Sequence, residues 1–440
     1  MLTIRGWTFT LASLGALLLG LFTLNLLPLI IGSFLVFFVA SELLAFGRAA
    51  RTISPAWFRV ERVHTTEQLN AGGVGTVELR LFHPAPVGFP AEVFDVHPSV
   101  FEIVSGSPRL STWWTPNAVF TLAYAFRARA RGAYQVGPVV VVVHDPLGFA
   151  YRTVVLEARA EVRVTPAAPN VSLRRMGLHL VTRALGATPV PRRGYGTEFR
   201  SLRPYQVSDD YRTIAWRRST AGRYFVREFE QESRQDFVLL VSLSQRMDAG
   251  LTGRTALDQA CEAGALLVQY VPRGGDRLGL LTMGDRVETW IPPSRGASHA
   301  QRITTTLTRS RPTAAAFDLA AALAYLARQL RQPTHVFAFT APPESFGHLG
   351  GVFRRYQSFA SSGHRLYLFT PELSEFYPPL SDPQQQAFFH LACLDQYYKE
   401  RAFRTVVERE GIPVLSFDRQ GASTRLLALY QRIHTWGFAR

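Results

Sequence analysis

The sequence contains almost no lysine and very little cysteine. Lys399 is the sole lysine among 48 basic residues, and Cys261 and Cys393 are the two cysteines of the 440-residue chain. A Walker-type phosphate loop needs a lysine directly after its glycine-rich turn, so this class of nucleotide site is excluded. Two cysteines cannot form a disulfide framework, and the composition therefore gives no sign of an oxidising compartment.

Patterns of several common enzyme classes are also missing. The sequence has no G-x-S-x-G, H-E-x-x-H or C-x-x-C pattern, and so it offers no nucleophile elbow, zinc-protease helix or redox pair. Four histidines have no mutual metal-ligand spacing: His299, His335, His348 and His364. The net charge of +15 is spread along the chain without a recognised nucleic-acid module. We therefore predict a protein that is not an enzyme, has no cofactor and binds no nucleic acid.

A long apolar run is present at the N-terminus. Between Trp7 and Phe46 the only charged residue is Glu42. One continuous helix of this length would measure roughly 60 Å, about twice the thickness of a bilayer core. Because Asn25 and Pro28 mark a turn, we expect a transmembrane helical hairpin within residues 1–50, with spans at about 7–24 and 28–46. A cleavable signal peptide is the alternative, but its apolar region is much shorter.

Arginines predict the orientation of this hairpin. Arg5 precedes the first span, the turn carries no basic residue, and several arginines follow the second span: Arg48, Arg51, Arg59 and Arg62. Basic residues remain on the cytoplasmic side of a membrane, so both ends of the hairpin and the soluble domains are expected in the cytoplasm. The arginines after the second span are also expected to attract anionic lipids of the bilayer.

Residues 54–166 have the pattern of a β-sandwich-like domain. The segment 76–81 alternates between apolar and polar residues, and the segment 136–143 is a β-branched run. No helical pattern follows Gly72–Gly75, so a hairpin turn is predicted there instead of a phosphate loop. Trp113 and Trp114 precede Pro116 and are expected to pack a loop against the sheet more often than to form a ligand platform.

Residues 237–440 alternate between strands and helices. The segment 167–236 precedes them as a connector, rich in glycine, proline and arginine at 186–194. Strands are predicted at 237–243, 278–283, 287–291, 335–340, 366–369 and 414–417, and helices at 256–271, 317–330 and 423–435. This order is typical of an α/β doubly wound parallel sheet, in which ligands bind at the carboxyl ends of the strands.

The segment from Gly194 to Met247 carries a family resemblance. It resembles the bacterial family named domain of unknown function fifty-eight, whose usual pattern is G-x-E-F-x-x-L-R-x-Y-x-x-G-D-D-x-R-x-I-D-W. The matching residues are Gly196, Glu198, Phe199, Leu202, Arg203, Tyr205, Asp209, Asp210, Arg212, Ile214 and Trp216. The chain departs from the pattern at Ser208 and Ala215. The segments 131–138 and 145–148 also resemble the family, so the similarity extends over most of the chain.

Adjacent carboxyl groups in this signature segment invite a catalytic interpretation. Asp209 and Asp210 could form an acid–base pair, but neighbouring residues on a strand point to opposite faces, and on a turn they usually face water. Tyr211, Arg212 and Trp216 supply rings and cations nearby. We therefore favour a structural role for the segment as a clasp between the β and α/β domains.

The resemblance implies that residues 237–440 form a von Willebrand A-like domain. Such domains hold a metal ion with a D-x-S-x-S motif, a threonine from a later loop and an aspartate after the fourth strand. The corresponding residues of this chain are Ser242, Ser244, Arg246, Thr313 and Thr340. Mg²⁺ needs oxygen ligands and negative charge, and both expected carboxylates are replaced. We thus predict a partner-binding site without a metal, in which Arg246 either receives a partner's carboxylate or is simply an exposed arginine; Asp248 is the nearest substitute carboxylate.

The residue patterns predict a protein anchored in the inner (cytoplasmic) membrane, and the family resemblance implies that it is a non-enzymatic adaptor or scaffold. The resemblance adds that such proteins are often encoded beside MoxR-type AAA+ ATPases, which makes an ATPase of this type a candidate partner. The alternative function is a metal-dependent protein-ligand receptor that uses the modified adhesion site. A hydrolase would require convergent polar residues that the sequence does not reveal.

Overall fold

The computed structural model contains two compact units, Met1–Val164 and Thr165–Arg440. It describes residues 1–52, 55, 58–84, 88–115, 117–167, 198–206, 209–220, 223–230, 235–343, 347, 349–377 and 383–436. The predicted connector at 186–194 and the predicted signature residue Gly196 lie outside the described residues, as do Ser208 and His348.

The first unit begins with the predicted helical hairpin. Helix α1 covers Ile4–Thr23 and helix α2 covers Leu26–Thr52, and Leu24 makes the turn with a φ of 50°. Both helices start before the predicted positions 7 and 28, and α2 continues beyond the predicted end at 46. Two windows are long and apolar enough to cross a membrane, Ile4–Thr23 and Leu26–Arg48. Their length and composition support the predicted membrane location.

Residues before α1 attach the hairpin to the β-rich part of the same unit. Leu2 forms an antiparallel bridge with Ala150, and the Thr3 amide donates to the Phe149 carbonyl at 2.9 Å. The Thr3 hydroxyl donates to the Gly148 carbonyl at 2.6 Å and also caps α1 by accepting from the Gly6 amide. The segment 145–148, which resembles the family, therefore forms the turn that receives the start of the anchor.

Antiparallel strands make up the rest of the first unit. They are β1 (Arg59–Thr65), β2 (Gln68–Asn70), β3 (Val74–Phe82), β4 (Phe89–Asp95), β5 (Phe101–Gly106), β6 (Arg109–Trp114), β7 (Val119–Ala128), β8 (Gly132–Val136), β9 (Val139–His144), β10 (Tyr151–Leu156) and β11 (Ala160–Thr165). Two four-stranded sheets have the orders β1-β3-β7-β5 and β10-β9-β4-β6, and a third sheet has the order β2-β11-β8. Alternate residues of β3 and β9 are buried in one core, as the period of two predicts.

The tryptophan pair lies on a strand of this domain and not in a loop. Trp113 and Trp114 are the last two residues of β6, and they pair with Pro90 and Phe89 of β4. Trp114 is fully buried, whereas Trp113 is 52% exposed. The prediction that this pair packs a loop against the sheet is therefore wrong, because both residues belong to a strand. Successive residues of a strand point to opposite faces of the sheet, so one ring is buried and the other is exposed.

Arg62 is not available to lipids, contrary to the expectation from its position after the second span. Its guanidinium forms a two-pronged ion pair with the buried carboxylate of Asp95, at 2.7 and 3.1 Å, and donates to the Ala158 carbonyl. The Tyr124 hydroxyl donates to the same carboxylate at 2.8 Å, and burial raises the pKa of this tyrosine. Removal of either partner would leave the other charge buried and unpaired, which strongly destabilises the fold.

The second unit contains the predicted doubly wound sheet. Its strands are β14 (Asp236–Ser242), β17 (Arg277–Met283), β18 (Val287–Ser294), β19 (Thr334–Phe339), β20 (Arg365–Pro371) and β21 (Val414–Phe417), with the small pair β15 (Gly250–Leu251) and β16 (Arg254–Thr255) after β14. The order is β18-β17-β14-β19-β20-β21, and all pairs are parallel except β17 with β18. Every residue of β14 is buried, as expected for a central strand with helices on both faces. The predicted fold class is confirmed.

Helices cover both faces of this sheet. They are α3 (Ala256–Tyr270), α4 (Ala297–Arg309), α5 (Leu319–Gln329), α6 (Leu349–Ser361), α7 (Leu373–Phe376), α8 (Pro383–Arg409) and α9 (Gly421–Trp436). One core packs α3 and α9 on the first face of the sheet, and a second core packs α5 and α6 on the other face. Cys261 lies on α3 and is buried in the first core.

A β-hairpin precedes the α/β sheet, where the sequence predicts a connector. Strands β12 (Glu198–Pro204) and β13 (Phe225–Glu230) are antiparallel. Two short 3₁₀ turns, Tyr211–Thr213 and Trp216–Arg218, lie between these strands. The signature segment is therefore an ordered structural element in its described part.

Candidate functional site

Hydroxyl side chains meet at the carboxyl edge of the α/β sheet. The Ser242 hydroxyl, at the end of β14, donates to the Ser244 hydroxyl at 3.1 Å. Thr313 reaches the same edge from the segment between α4 and α5, because it forms a parallel bridge with Ser244 and its amide donates to the Leu243 carbonyl at 2.6 Å. Val241 pairs with Phe339, so Ser242 and Thr340 follow at the same level of the sheet. The edge thus contains the predicted residues of β14, β19 and the Thr313 loop.

These hydroxyls do not fit a divalent cation. The Thr313 and Thr340 hydroxyls donate to main-chain carbonyls of Leu243 and Ala341, at 3.1 and 3.2 Å. Ser242 and Ser244 are bonded to each other, and none of these side chains carries negative charge. Mg²⁺ and Ca²⁺ are held by carboxylate and carbonyl oxygens that neutralise the ion. In the part of the chain that the structure describes, no three His, Cys, Asp or Glu residues form a metal cluster.

Arg246 lies in a groove beside this edge. It belongs to the 3₁₀ turn Gln245–Asp248, which directly follows Ser244. Its guanidinium donates to the Gln396 side-chain oxygen at 3.3 Å. The groove has a volume of about 530 Å³, and its walls come from the turn, from the segment around α7, and from α8. Arg246 is therefore directed towards α8, while the hydroxyls are bonded among themselves and to main-chain carbonyls.

A half-buried acid lies behind Gln396. Glu400 accepts a hydrogen bond from the Gln396 amide at 2.9 Å and another from the Leu373 main-chain amide at 3.2 Å. Burial raises the pKa of Glu400, whereas these hydrogen bonds and the positive charge of Arg246 act in the opposite direction. Arg246, Gln396 and Glu400 thus form a continuous series of contacts that begins in the groove, from a cation through an amide to an acid.

The groove also contains Cys393, but its environment does not activate the thiol. Desolvation raises the pKa of Cys393, and the nearby carboxylates of Glu375 and Glu400 raise it further. A nucleophilic cysteine needs a lowered pKa from a cation or a helix N-terminus. Cys393 is therefore a lining residue of the groove.

Helix α8 carries an exposed apolar stripe next to the groove. We define the stripe by its five large exposed side chains: Phe388, Leu391, Leu394, Tyr397 and Tyr398. The opposite side of the helix faces the domain through Phe389, Cys393, Gln396, Glu400, Phe403 and Val407. These inward residues follow each other at intervals of four and three, which is the helical signal that sequence reasoning missed.

The signature segment forms its own network of hydrogen bonds. Arg203 makes a two-pronged ion pair with Asp209, which also accepts from the Gln206 amide at 2.8 Å. The hydrogen bond from Arg203 lowers the pKa of Asp209. Asp210 caps the first 3₁₀ turn by accepting from the Arg212 amide at 3.0 Å. The two aspartates have separate structural partners, an arrangement that does not resemble a shared acid–base pair.

The remaining signature residues divide into buried and exposed positions. Glu198 and Phe199 lie on β12, and Leu202 on the same strand is partly exposed. Ile214 is buried and forms a bridge with Val226. By contrast, Arg212 and Trp216 are exposed. Ile214 thus contributes to the packing of the segment, whereas Arg212 and Trp216 are accessible to a partner.

Comparison with known proteins supports the family resemblance. Residues 201–341 match the model of the family described as protein of unknown function DUF58. This range extends from the signature segment through β19, which ends at Phe339. No curated protein matches the chain.

Several solved structures resemble about half of the chain. An aerotolerance-related membrane protein from Bacteroides fragilis is 14% identical, with a TM-score of 0.33, over 45% of this chain and 98% of that chain. The conserved hypothetical protein BatB from Bacteroides thetaiotaomicron is 11% identical, with a TM-score of 0.32, over 46% of this chain and 98% of that chain. The SpRpn10 VWA domain is 13% identical, with a TM-score of 0.29, over 47% of this chain and 100% of that chain.

Proposed function

We propose that the protein is a non-enzymatic, membrane-anchored adaptor that presents the carboxyl edge of its α/β domain to protein partners. The observation that carries this proposal is the combination of the Arg246 groove with the apolar stripe of α8. Soluble surfaces rarely leave several large apolar side chains exposed next to one another unless something binds there. Helix α8 contributes groove residues on the side that faces the domain and the stripe on the side that faces solvent, so a partner that binds around this helix covers both features.

Arg246 is suited to receive a carboxylate from such a partner. Its present hydrogen bond goes to a neutral amide oxygen and is long, at 3.3 Å. A carboxylate can accept two parallel hydrogen bonds from a guanidinium, and charge-assisted bonds of this kind are stronger than neutral ones. The hydroxyl groups at the neighbouring edge of the sheet are uncharged and already hydrogen-bonded, so they do not compete with a partner's carboxylate for Arg246. A carboxylate should therefore displace Gln396 as the acceptor.

The proposed location in the cell and the proposed partner rest on the sequence and not on the geometry of the groove. We place the anchor in the inner (cytoplasmic) membrane with both soluble units in the cytoplasm, because the basic residues flank the hairpin and avoid its turn. A MoxR-type AAA+ ATPase is the proposed partner class, which rests on the family resemblance. The hydroxyl-only edge supports a mode of binding that needs no metal.

A pull-down of the tagged full-length protein in detergent tests the proposal. We expect an AAA+ ATPase to be retained in the presence of EDTA and to be lost when Arg246→Glu reverses the charge in the groove. Arg354→Glu is the matched control, since Arg354 is an exposed arginine on helix α6. The partner's nucleotide must be removed beforehand, so that chelation does not act on its own Mg²⁺.

The other outcomes are equally informative. Loss of the partner on chelation, together with heat released on adding Mg²⁺ or Mn²⁺ to the protein alone, would favour a metal-dependent receptor. Equal retention by wild-type protein and Arg246→Glu would show that the groove does not bind the partner.

A further inference from the structure

We infer a second docking surface, on the signature segment, that binds an acidic protein segment. We call it the arginine–aromatic patch and define it by Tyr211, Arg212, Trp216, Arg217, Arg218, Arg223 and Tyr224, all of which are exposed. The patch lies between strands β12 and β13 and shares no residue with the groove or the stripe. The inference therefore stands independently of the function proposed for the edge of the sheet.

The scaffold holds the patch in a defined shape. The Arg203–Asp209 ion pair closes the loop after β12, and Asp210 caps the turn that carries Tyr211 and Arg212. Ala215 is buried, and its amide donates to the Phe225 carbonyl at 2.8 Å, which fixes the turn that carries Trp216. A patch held by such contacts loses little conformational freedom when it binds a partner.

Large aromatic side chains of the patch are turned outward. Trp216 is 62% exposed and Tyr211 is 64% exposed. The Tyr224 ring lies edge-to-face with the Trp216 ring, with centroids 6.1 Å apart. Neither Trp216 nor Tyr211 is needed to fill the core, because Ile214, Ala215 and Val226 occupy the buried positions of this region. Exposed tryptophan and tyrosine are typical of the residues that dominate binding energy at protein interfaces.

The patch also concentrates positive charge. Its four arginines form no ion pair with any carboxylate in the part of the chain that the structure describes. Arg212 makes one long hydrogen bond, at 3.4 Å, to the Tyr211 hydroxyl and lies over that ring. Guanidinium groups form two-pronged pairs with carboxylates, so an acidic partner supplies the missing acceptors.

Several features favour an acidic protein over a nucleic acid or an anionic membrane. The exposed rings of Tyr211, Trp216 and Tyr224 lie among the arginines, so the patch offers apolar as well as charged contacts, and an acidic protein segment has side chains for both. Tyr224 meets both Trp216 and Tyr205 edge-to-face, at 75° and 78°, so the rings do not form a row of parallel faces on which bases could stack. Mixed charge around a few aromatic anchors is typical of a protein interface.

Fluorescence anisotropy with defined probes tests this inference. The full chain is placed in nanodiscs of phosphatidylcholine and titrated against a labelled peptide of Glu, Asp, Leu and Phe, and against its isostere with Gln and Asn. We expect the acidic peptide alone to bind. The double variant Arg217→Glu/Arg218→Glu and the single variant Trp216→Ala should each weaken binding by about thirtyfold, the change that corresponds to the loss of a hot spot.

Arg354→Glu/Arg355→Glu is the matched control, because it reverses two adjacent exposed arginines on helix α6. It should change the affinity by less than about threefold, which represents the loss of overall charge alone. The inference is overturned if the acidic peptide does not bind, if its neutral isostere binds as well, or if both double variants lose the same affinity. It is equally overturned if oligouridylate RNA or phosphatidylserine vesicles bind more tightly than the peptide through Arg217 and Arg218.

Discussion

Glu400 is a titratable residue that connects two walls of the groove through its hydrogen bonds. Its hydrogen bonds join Gln396 to the main chain at Leu373, so they connect α8 to the segment that begins α7. Burial raises the pKa of Glu400 above its ordinary value of 4.5. The folded protein therefore holds the proton more tightly than the unfolded chain, and the stability gained in this way is fully present below about pH 4.5 and is lost as the pH rises through the folded pKa.

Glu400→Gln should remove this pH dependence. The variant keeps an acceptor for the Leu373 amide and has no charge to desolvate. We expect α8 to be protected equally in both proteins at low pH and better in the variant at neutral pH. Hydrogen exchange of residues 385–403, corrected for the intrinsic effect of pH, measures the difference.

Asp395→Asn is the control on the same helix, because Asp395 is exposed and, among the described residues, forms an ion pair only with Lys399 four residues later. An exposed pair of this kind contributes little, so its loss should leave the pH profile unchanged. Parallel profiles for wild-type protein and Glu400→Gln would contradict the account of a desolvated acid.

Residues of the candidate site were predictable to different degrees. Ser242 and Thr340 lie at the ends of predicted strands, and Ser244 directly follows one, so their positions at the edge of the sheet follow from the alternation of strands and helices. Gln396 lines the groove and Glu400 supports it from a helix that was not predicted, because one side of that helix is apolar and exposed while the inward side contains polar residues. The inward side keeps the helical spacing, but its mixture of polar and apolar residues hides that spacing from a pattern based on hydrophobicity alone.

At the scale of elements, the two helices of the hairpin pack closely at two glycines. A β-carbon at Gly20 would collide with the backbone of Leu29, and one at Gly32 would collide with the backbone of Leu17. Each helix therefore approaches the other most closely at a glycine, which leaves room for the backbone of the facing leucine. Small residues are the usual means of close helix packing in a membrane, where no hydrophobic effect drives association.

Gly32→Val should force the two helices apart. We expect the hairpin to lose about 1–3 kcal/mol of packing free energy, since an added side chain has no room without a shift of the backbone. The mobility of the hairpin segment on SDS gels reports whether the compact form persists. Gly15→Val is the matched control, because Gly15 has open space around its β-carbon and should tolerate the change. Equal mobility of both variants would argue against close packing at Gly32.

Strands were predicted better than helices in this chain. The predicted bounds of β17, β18, β19 and β21 lie within a few residues of the structure, because buried β-branched and aromatic runs leave no other arrangement. Helix α4 has a short apolar face of Ile303 and Leu307 among its threonines. Helix α6 buries Leu349, Val352, Tyr356 and Phe359 at intervals of three and four, a helical pattern that the predicted helices did not include. Packing against the sheet stabilises these helices more than their intrinsic propensity does.

At the scale of the whole molecule, the orientation in the membrane decides which partners can reach the groove and the patch. A cytoplasmic location is our prediction from the arginines that flank the hairpin. The two cysteines provide a native test of it, since Cys261 is buried and Cys393 is partly exposed in the groove.

A membrane-impermeant maleimide should label Cys393 only after the cytoplasmic face becomes accessible. We expect no labelling of intact spheroplasts and labelling of inverted membrane vesicles. The reaction needs a mildly alkaline buffer, because the raised pKa of Cys393 leaves little thiolate at neutral pH. Cys393→Ser should abolish the signal. Labelling of intact spheroplasts would place the soluble units on the opposite side.

The attachment of the anchor to the turn at 145–148 has a consequence for the order of biosynthesis. The Thr3 hydroxyl and its acceptor at Gly148 are 145 residues apart. The anchor is synthesised first and can enter the bilayer before the ribosome has produced the turn. The β domain then completes its folding against a segment already fixed at the membrane surface. The contact between the anchor and this turn can therefore form only after Gly148 has been synthesised, which makes it a late step in the assembly of this unit.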